Sequence, residues 1–388
     1  RKRFKEEQNM KIKMTKNLRE NLITYGIVVV AFIIVEIMIS TGSISSLMKG
    51  LLVPLCVYVI MAVSLNLTVG ILGELSLGHA GFMCVGAFTG AFFSKCMENV
   101  ITIGPLRFFL ALLIGAVSAG FIGFLIGMPV LRLKGDYLAI VTLAFCEIVH
   151  TLFKNSSRES FGGAFGLETP RYDRKYLYVI AFLFVMLTFA VLQNIIRSKH
   201  GRAVTAIRDN EIAARATGIN VTKYKLMVFA VSAFFAGVAG VFFSFSNYTV
   251  VDTTFTYNYS IEILVMVVLG GMGNMVGSAI SAVLITFLND QLTNVLTGNL
   301  AVLQKLFYAV ILVALVIYRN APGLQGFRDK YNFRALSQRL KRKKDDPSKV
   351  KEDAGYWDRV PTKIEMDEIL STDVKVESNS SVRKDGDR

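Results

Sequence analysis

The residues of this chain that could do chemistry are few, and most lie inside apolar sequence. Glu74 and His79 belong to Gly73-Glu74-Leu75-Ser76-Leu77-Gly78-His79, where two glycines interrupt a long hydrophobic stretch. An ionisable group at mid-bilayer costs about 2.5–3.5 kcal/mol on insertion scales, so each invites an explanation. One explanation is a break between two helices, where loose backbone lines a cavity. Free carbonyls and the N-terminus of the following helix would then face a cation and an anion, the two ends of a zwitterion. The plain alternative is a structural turn with Ser76 and His79 as caps. Glu147 and His150 stand three apart and can pair on one helix face. Glu262 lies at the mouth of another apolar run, and Glu36 inside a further one is expected to be a partnered structural charge.

A second constellation is Gly201–Tyr224, GRAVTAIRDNEIAARATGINVTKY. Glu211, Ala213, Ala214 and Gly218 form E-x-A-A-x-x-x-G within sequence of helical propensity. A small-residue helix face closed by glycine suits a groove on a partner protein, with Arg208 and Arg215 available to acidic groups there. A solvated amphipathic loop helix is the plain alternative. Enzymatic signatures are absent. The sequence has no GxxxxGK[ST], HExxH, GxSxG or CxxC, and His79, His150 and His200 have no metal-ligand spacing. Cys56, Cys84, Cys96 and Cys146 lie in or beside apolar segments without paired spacing, which gives no disulfide framework. An active process would therefore draw its energy from another chain or from an ion gradient.

The elements that must position these residues are membrane helices. Hydrophobic residues make up 53% of the chain, mean hydropathy is +0.49, and the apolar residues gather into runs near the ~20 needed to cross a bilayer. Ten spans are predicted at about 22–40, 51–70, 77–94, 106–128, 137–153, 176–197, 225–246, 258–272, 274–290 and 302–318. The basic stretch Arg1–Glu20 precedes a full-length run without a small-residue cleavage site, which predicts an uncleaved first span. Lys and Arg near the span ends place the N-terminus, the 198–224 loop and the tail in the cytoplasm. The 154–175 loop, with mixed charges, would face outside. The net charge of +14 is then topology and contact with anionic lipid, not nucleic-acid binding. Parity requires 258–290 to cross twice, turning at Gly270-Gly271-Met272-Gly273-Asn274, whose glycines permit positive φ. Its two arms are short for full spans. Gly115, Ala119, Gly123 and Gly127, and Ser232, Ala236 and Gly240, form small-residue stripes that predict close helix packing. From about Phe327 to Arg388 the chain turns polar, which predicts disorder or a short surface helix.

Five segments together resemble the M-type permeases of high-affinity branched-chain amino acid ABC importers. Asn66–Ser94, NLTVGILGELSLGHAGFMCVGAFTGAFFS, is similar to that family's N-terminal signature, and Arg132–Glu147, RLKGDYLAIVTLAFCE, to its central one. Gly162–Leu167 resembles the external-loop motif. Leu269–Gly277, LGGMGNMVG, and Tyr318–Gly323 resemble the C-terminal motifs. The order is the family's, and the resemblance covers roughly residues 50–325.

The resemblance implies an all-α polytopic membrane protein, about ten transmembrane helices in a type II ABC importer-like bundle with a polar cytoplasmic tail. The segments would be a basic cytoplasmic stretch at 1–20, a permease domain at 21–326 and the tail at 327–388. The chain would be a non-enzymatic subunit of a bacterial inner-membrane importer for leucine, isoleucine and valine. Its partners would be an H-type permease, two cytoplasmic ABC ATPases that carry ATP and Mg, and an extracytoplasmic amino-acid-binding protein. The chain itself would hold no cofactor. The 201–224 region resembles the family's coupling loop, which would give Arg208, Glu211, Ala213, Ala214, Arg215 and Gly218 to ATPase docking. A path at the permease–permease interface would draw on Asn66, Glu74, Ser76, His79, Glu147, Gly270, Gly271 and Gly273. Permeases for urea or short-chain amides are the first alternative and sugar permeases a more distant one. A gradient-driven carrier or channel is the rival from another class, and the coupling-like loop argues against it.

Overall fold

In the computed structural model the chain divides into two units, Arg1–Ile317 and Tyr318–Arg388. The structure describes residues 46–295 apart from Lys134, Glu159, Arg171 and Asp173, together with Ala309, Val310 and Val313. The predicted span at 22–40, that at 302–318 apart from those three residues, Glu36, the basic N-terminal stretch and the polar tail lie outside the described residues.

The chain first forms α1 (Ser46–Asn66), which runs into a π-helical turn, Leu67–Leu72. A non-helical link, Gly73–Gly78, leads to α2 (His79–Cys96), α3 (Gly104–Val130) and α4 (Asp136–Lys154). There follow α5 (Arg174–Arg197), α6 (Lys199–Asp209), α7 (Glu211–Ala216), α8 (Val221–Asn247), α9 (Tyr257–Gly270) and α10 (Met275–Val295). Two-residue strands β1 (Leu167–Glu168) and β2 (Thr249–Val250) pair antiparallel, Leu167 opposite Val250, and tie together the loops at one end of the bundle. The α6–α7 loop lies at the other end.

Eight of the ten predicted segments thus coincide with helices. Six are long and apolar enough to cross a membrane: Lys49–Leu72, Gly104–Val130, Asp136–Lys154, Tyr176–Arg197, Val221–Asn247 and Met275–Thr293. Two fall outside that group for physical reasons. His79, Lys95 and the small residues of α2 dilute its hydropathy, and α9, at 14 residues, is about 21 Å long, short of a hydrocarbon core of ~30 Å. The described residues therefore support six crossings and leave the count of about ten as an expectation.

Small residues set the packing. The helix α8 sits at the centre, against α1, α2 and α3. Gly86 of α2 meets the backbone of Gly237, and Gly240 meets the carbonyl of Met83. Along α3, Gly115 faces Val241 and Gly86, Ala119 faces Gly237, Gly123 faces Ala233, and Gly127 faces Leu226 and Phe229. The Gly115–Gly127 stripe is this contact with α8; of the second stripe, Gly240 meets α2 and Ser232 donates to the Ser64 carbonyl of α1. Without a hydrophobic drive between helices in lipid, close approach of backbones supplies the attraction as dispersion. Phe82, Phe145 and Phe229 fill the space beside the glycine seam, with ring centroids 4.9 and 5.4 Å from Phe82.

Candidate functional site

At the α6–α7 end each short element is closed by its own sequence. Ser198 caps α6, accepting from the N–H groups of His200 and Gly201 at 3.1 and 3.3 Å. Asn210 caps α7, accepting from Ile212 and Ala213 at 3.0 Å each. Asn220 caps α8 through Lys223 N–H at 3.1 Å. Satisfied donors at each start let three helices follow one another with almost no linker. The exit of α7 is a Schellman closure. Ile219 N–H reaches the Ala214 carbonyl and Gly218 N–H the Arg215 carbonyl, with Gly218 at φ +85°. Of the predicted coupling residues, Ala213, Arg215 and Gly218 are exposed, whereas Ala214 is buried against the bundle. Ile212, which the E-x-A-A pattern passes over, is 81% exposed and is the apolar tip of this surface.

The charged residues there pair within the chain. Lys225 is buried on the first turns of α8, and its ammonium meets Glu74 in a close ion pair and Glu211 at 3.4 Å. Glu211 also accepts from Arg215 at 2.7 Å. Four charges, Glu74, Lys225, Glu211 and Arg215, thereby form a neutral chain from the link after the π-turn to the surface of α7. A buried charge without such pairing would cost several kcal/mol. Arg208 holds Asp209 and donates from Nη1 to the Gly70 carbonyl at 3.1 Å. Lys225, at the edge of the 198–224 loop, is in sequence one of the Lys and Arg residues near span ends.

The predicted pathway residues divide into three groups. Asn66, fully buried, accepts from Gly273 N–H at 2.8 Å and donates to Ser278 Oγ at 2.9 Å. It clamps the π-turn to the α9–α10 turn, where Gly271 and Gly273 have φ of +97° and +82°. Gly270 ends α9 directly against Ser278, so only a hydrogen fits there. His79 and Ser76 lie deep, with Glu74 joined through Lys225 to α7 instead. His79 Nε2 is 2.8 Å from Ser64 Oγ, whose hydroxyl donates to the Met61 carbonyl at 3.0 Å. Leu77 N–H donates to Thr142 Oγ1 and Ala80 N–H to Ser260 Oγ, each at 3.0 Å. The start of α2 is therefore held by hydroxyls of α4 and α9. The Ser76 hydroxyl is buried without a hydrogen-bond partner.

Glu147 stands apart from both groups. It accepts from Tyr257 N–H at 3.3 Å and lies 3.8 Å from His150, whose other nitrogen is 3.2 Å from buried Asp252. Between the π-turn, the end of α5 and the α9–α10 turn is an open cleft of about 250 Å³, bordered by Ile71, Gln193, Arg197 and Gly273.

A family model described as branched-chain amino acid transport system / permease component matches residues 47–317, the span that holds all of this geometry. The chain belongs to that family. As a permease-family chain with several apolar helices, it is a multi-pass membrane protein. The high-affinity branched-chain amino acid transport system permease protein LivM of Escherichia coli K12 is 36% identical over 260 residues, 59% of this chain and 60% of the relative. LivM of Salmonella typhimurium LT2 is 39% identical over 261 residues, again 59% and 60%. The ribose import permease protein RbsC of Escherichia coli K12 is 26% identical over 269 residues, 67% of this chain and 71% of the relative. The match thus spans about 60% of the length of the LivM relatives. No solved structure matches the chain.

Proposed function

We propose that this permease is one membrane subunit of an ATP-driven importer for branched-chain amino acids. It would contribute half of a path at the interface with a second permease, and would receive movement from ATPase partners through residues 198–224. The single observation that carries the reading is α7: a six-residue helix, capped at both ends, that presents Ile212, Ala213 and Gly218 to solvent. Ala214 and Glu211 tie α7 to the bundle, while Ile212 leaves its apolar side chain 81% exposed on the opposite face, where a partner could cover it. The absence of a nucleotide-binding loop in the sequence fits a chain that is driven by others. Lys and Arg density assigns the α7 end to the cytoplasm and the β1–β2 end to the outside. Leucine, isoleucine and valine are the substrates that the LivM relatives favour. The ribose relative supports a second reading, in which the same frame passes a sugar.

Reconstitution tests the reading. The permease alone in liposomes should take up nothing, even under an imposed proton or sodium gradient. With its second permease, two ATPases and the binding protein, it should take up aliphatic amino acids only with ATP. Gradient-driven leucine uptake by this chain alone would overturn the proposal. ATP-driven ribose or urea uptake with leucine excluded would replace the substrate and keep the assembly.

A further inference from the structure

We infer that movement of the α6–α7 loop is received at the helical break 67–78, and that Lys225 is the positioning residue that transmits it. The inference rests on the coupling reading above and adds the route inward. Two tethers leave the loop, and both end on the break. One is Glu211–Lys225–Glu74, in which the Lys225 side chain is 5% exposed and those of Glu211 and Glu74 are 18% and 14% exposed. The other is Arg208, which donates to the Gly70 carbonyl and lies against Gly73, where a Cβ would stand 2.7 Å from Arg208 Cγ.

The receiving element is built to yield. In the π-turn the Thr68 carbonyl serves the N–H groups of both Gly73 and Glu74, and Gly73 sits at φ +82°. Such turns interrupt the regular ladder and occur at functional places in helices. Charge makes the first tether stiff. If α7 shifts and draws Glu211 with it, Lys225 must follow or lose a counter-charge, and Glu74 must then follow Lys225. The same displacement reaches Gly70 through Arg208. Gly70 in turn touches Gly273, whose N–H is held by Asn66. A surface displacement is thus delivered to the two places where the transmembrane helices are broken.

The test uses the full complex, with uptake, ATP hydrolysis with and without substrate-loaded binding protein, and co-purification of the ATPases. In Lys225→Met and Glu74→Gln the ATPases should still co-purify, while uptake falls about tenfold or more, the scale of coupling between linked sites. Hydrolysis should no longer respond to the binding protein. Lys225→Arg should restore the response. The paired variant Glu74→Gln with Lys225→Met strands neither of the two charges, so it separates charge neutralisation from transmission. It should insert and assemble even where Lys225→Met does not, and remain uncoupled. Normal coupled uptake in the paired variant would overturn the inference and leave the importer reading intact. A wild-type complex without ATP-dependent uptake would remove the importer reading, and the inference with it.

Discussion

Gly218 allows docking to be separated from folding. Its φ of +85° closes α7, and among the described residues no atom stands within 4 Å of the position a Cβ would take. Any L-residue with a Cβ therefore pays backbone strain of about 1–2 kcal/mol, while the Cβ itself meets nothing among the described residues. That strain lowers the population of the closed turn by a factor of roughly 5–30, since about 1.4 kcal/mol is tenfold. Alanine and tryptophan share this term, and asparagine, which tolerates the left-handed region, incurs less of it. The expected order of uptake is wild type, then Gly218→Asn, then Gly218→Ala, with Gly218→Trp abolished. A loss beyond that of alanine is assigned to a partner when the isolated Gly218→Trp permease melts at the same temperature as Gly218→Ala, which shows that the indole meets nothing in its own chain. The assay is ATP-dependent uptake in vesicles, normalised to inserted permease, with co-purification of the ATPase as the second measure. Gly218→Trp should lose both. Normal uptake by a membrane-inserted Gly218→Trp protein would refute the assignment of α7 to docking.

Ile212→Asp should weaken ATPase co-purification without lowering the thermal stability of the isolated permease, because its side chain is already in water. A stability loss comparable to that of a core substitution would show that Ile212 is covered by its own chain. Gly240→Leu should behave in the opposite way. A side chain there runs into the Met83 carbonyl and Ala87 N, which are backbone, so a loss of about 1–3 kcal/mol is expected, read as a lower melting temperature in detergent. Gly120→Ala, facing the Phe234 Cβ at 3.3 Å, is the milder control. Topology is read by thiol labelling in intact cells after removal of the native cysteines. Cysteines at Ser198 and Ser348 should be shielded from impermeant reagent and one at Ser160 labelled. Labelling at Ser348 would make the 258–290 hairpin a single crossing.

The helices were legible because lipid imposes one rule on every span: apolar, about twenty residues, internally hydrogen-bonded. The stripes Gly115–Gly127 and Ser232–Gly240 were legible for a related reason. Backbone contact between helices demands small residues at fixed spacing, and the structure places α3 on α8 along the first stripe, with Gly240 of the second against α2 and Ser232 against α1. The turn at 270–274 announced itself through glycines, and Gly271 and Gly273 take up the left-handed conformations there. What escaped was pairing across long separations. Glu74 looked like a solitary acid beside His79, yet its partner stands 151 residues away on another helix. Lys225 looked like one more cytoplasmic cation. Nothing in local spacing distinguishes a snorkelling lysine from one folded inward onto two carboxylates, since both begin at the end of a span.

The same blindness explains why pathway and coupling residues were first assigned to separate tasks. Sequence order puts Asn66, Glu74 and His79 in one motif and Glu211 and Arg215 in another. The fold regroups them. His79 turns inward to Ser64, and Ala80 N–H is held by Ser260, so the start of α2 is a fixed point. Glu74, five residues earlier, faces the loop. Glu74 belongs to Gly73–Gly78, the non-helical stretch of the motif, which begins at Gly73 with φ +82° and is pinned near its other end at Leu77 N–H. A motif that reads as one site is thus a non-helical link between an element tied to the surface loop and an element tied to the core. Under the proposed coupling, that arrangement would carry motion at the surface loop into the interior of the bundle.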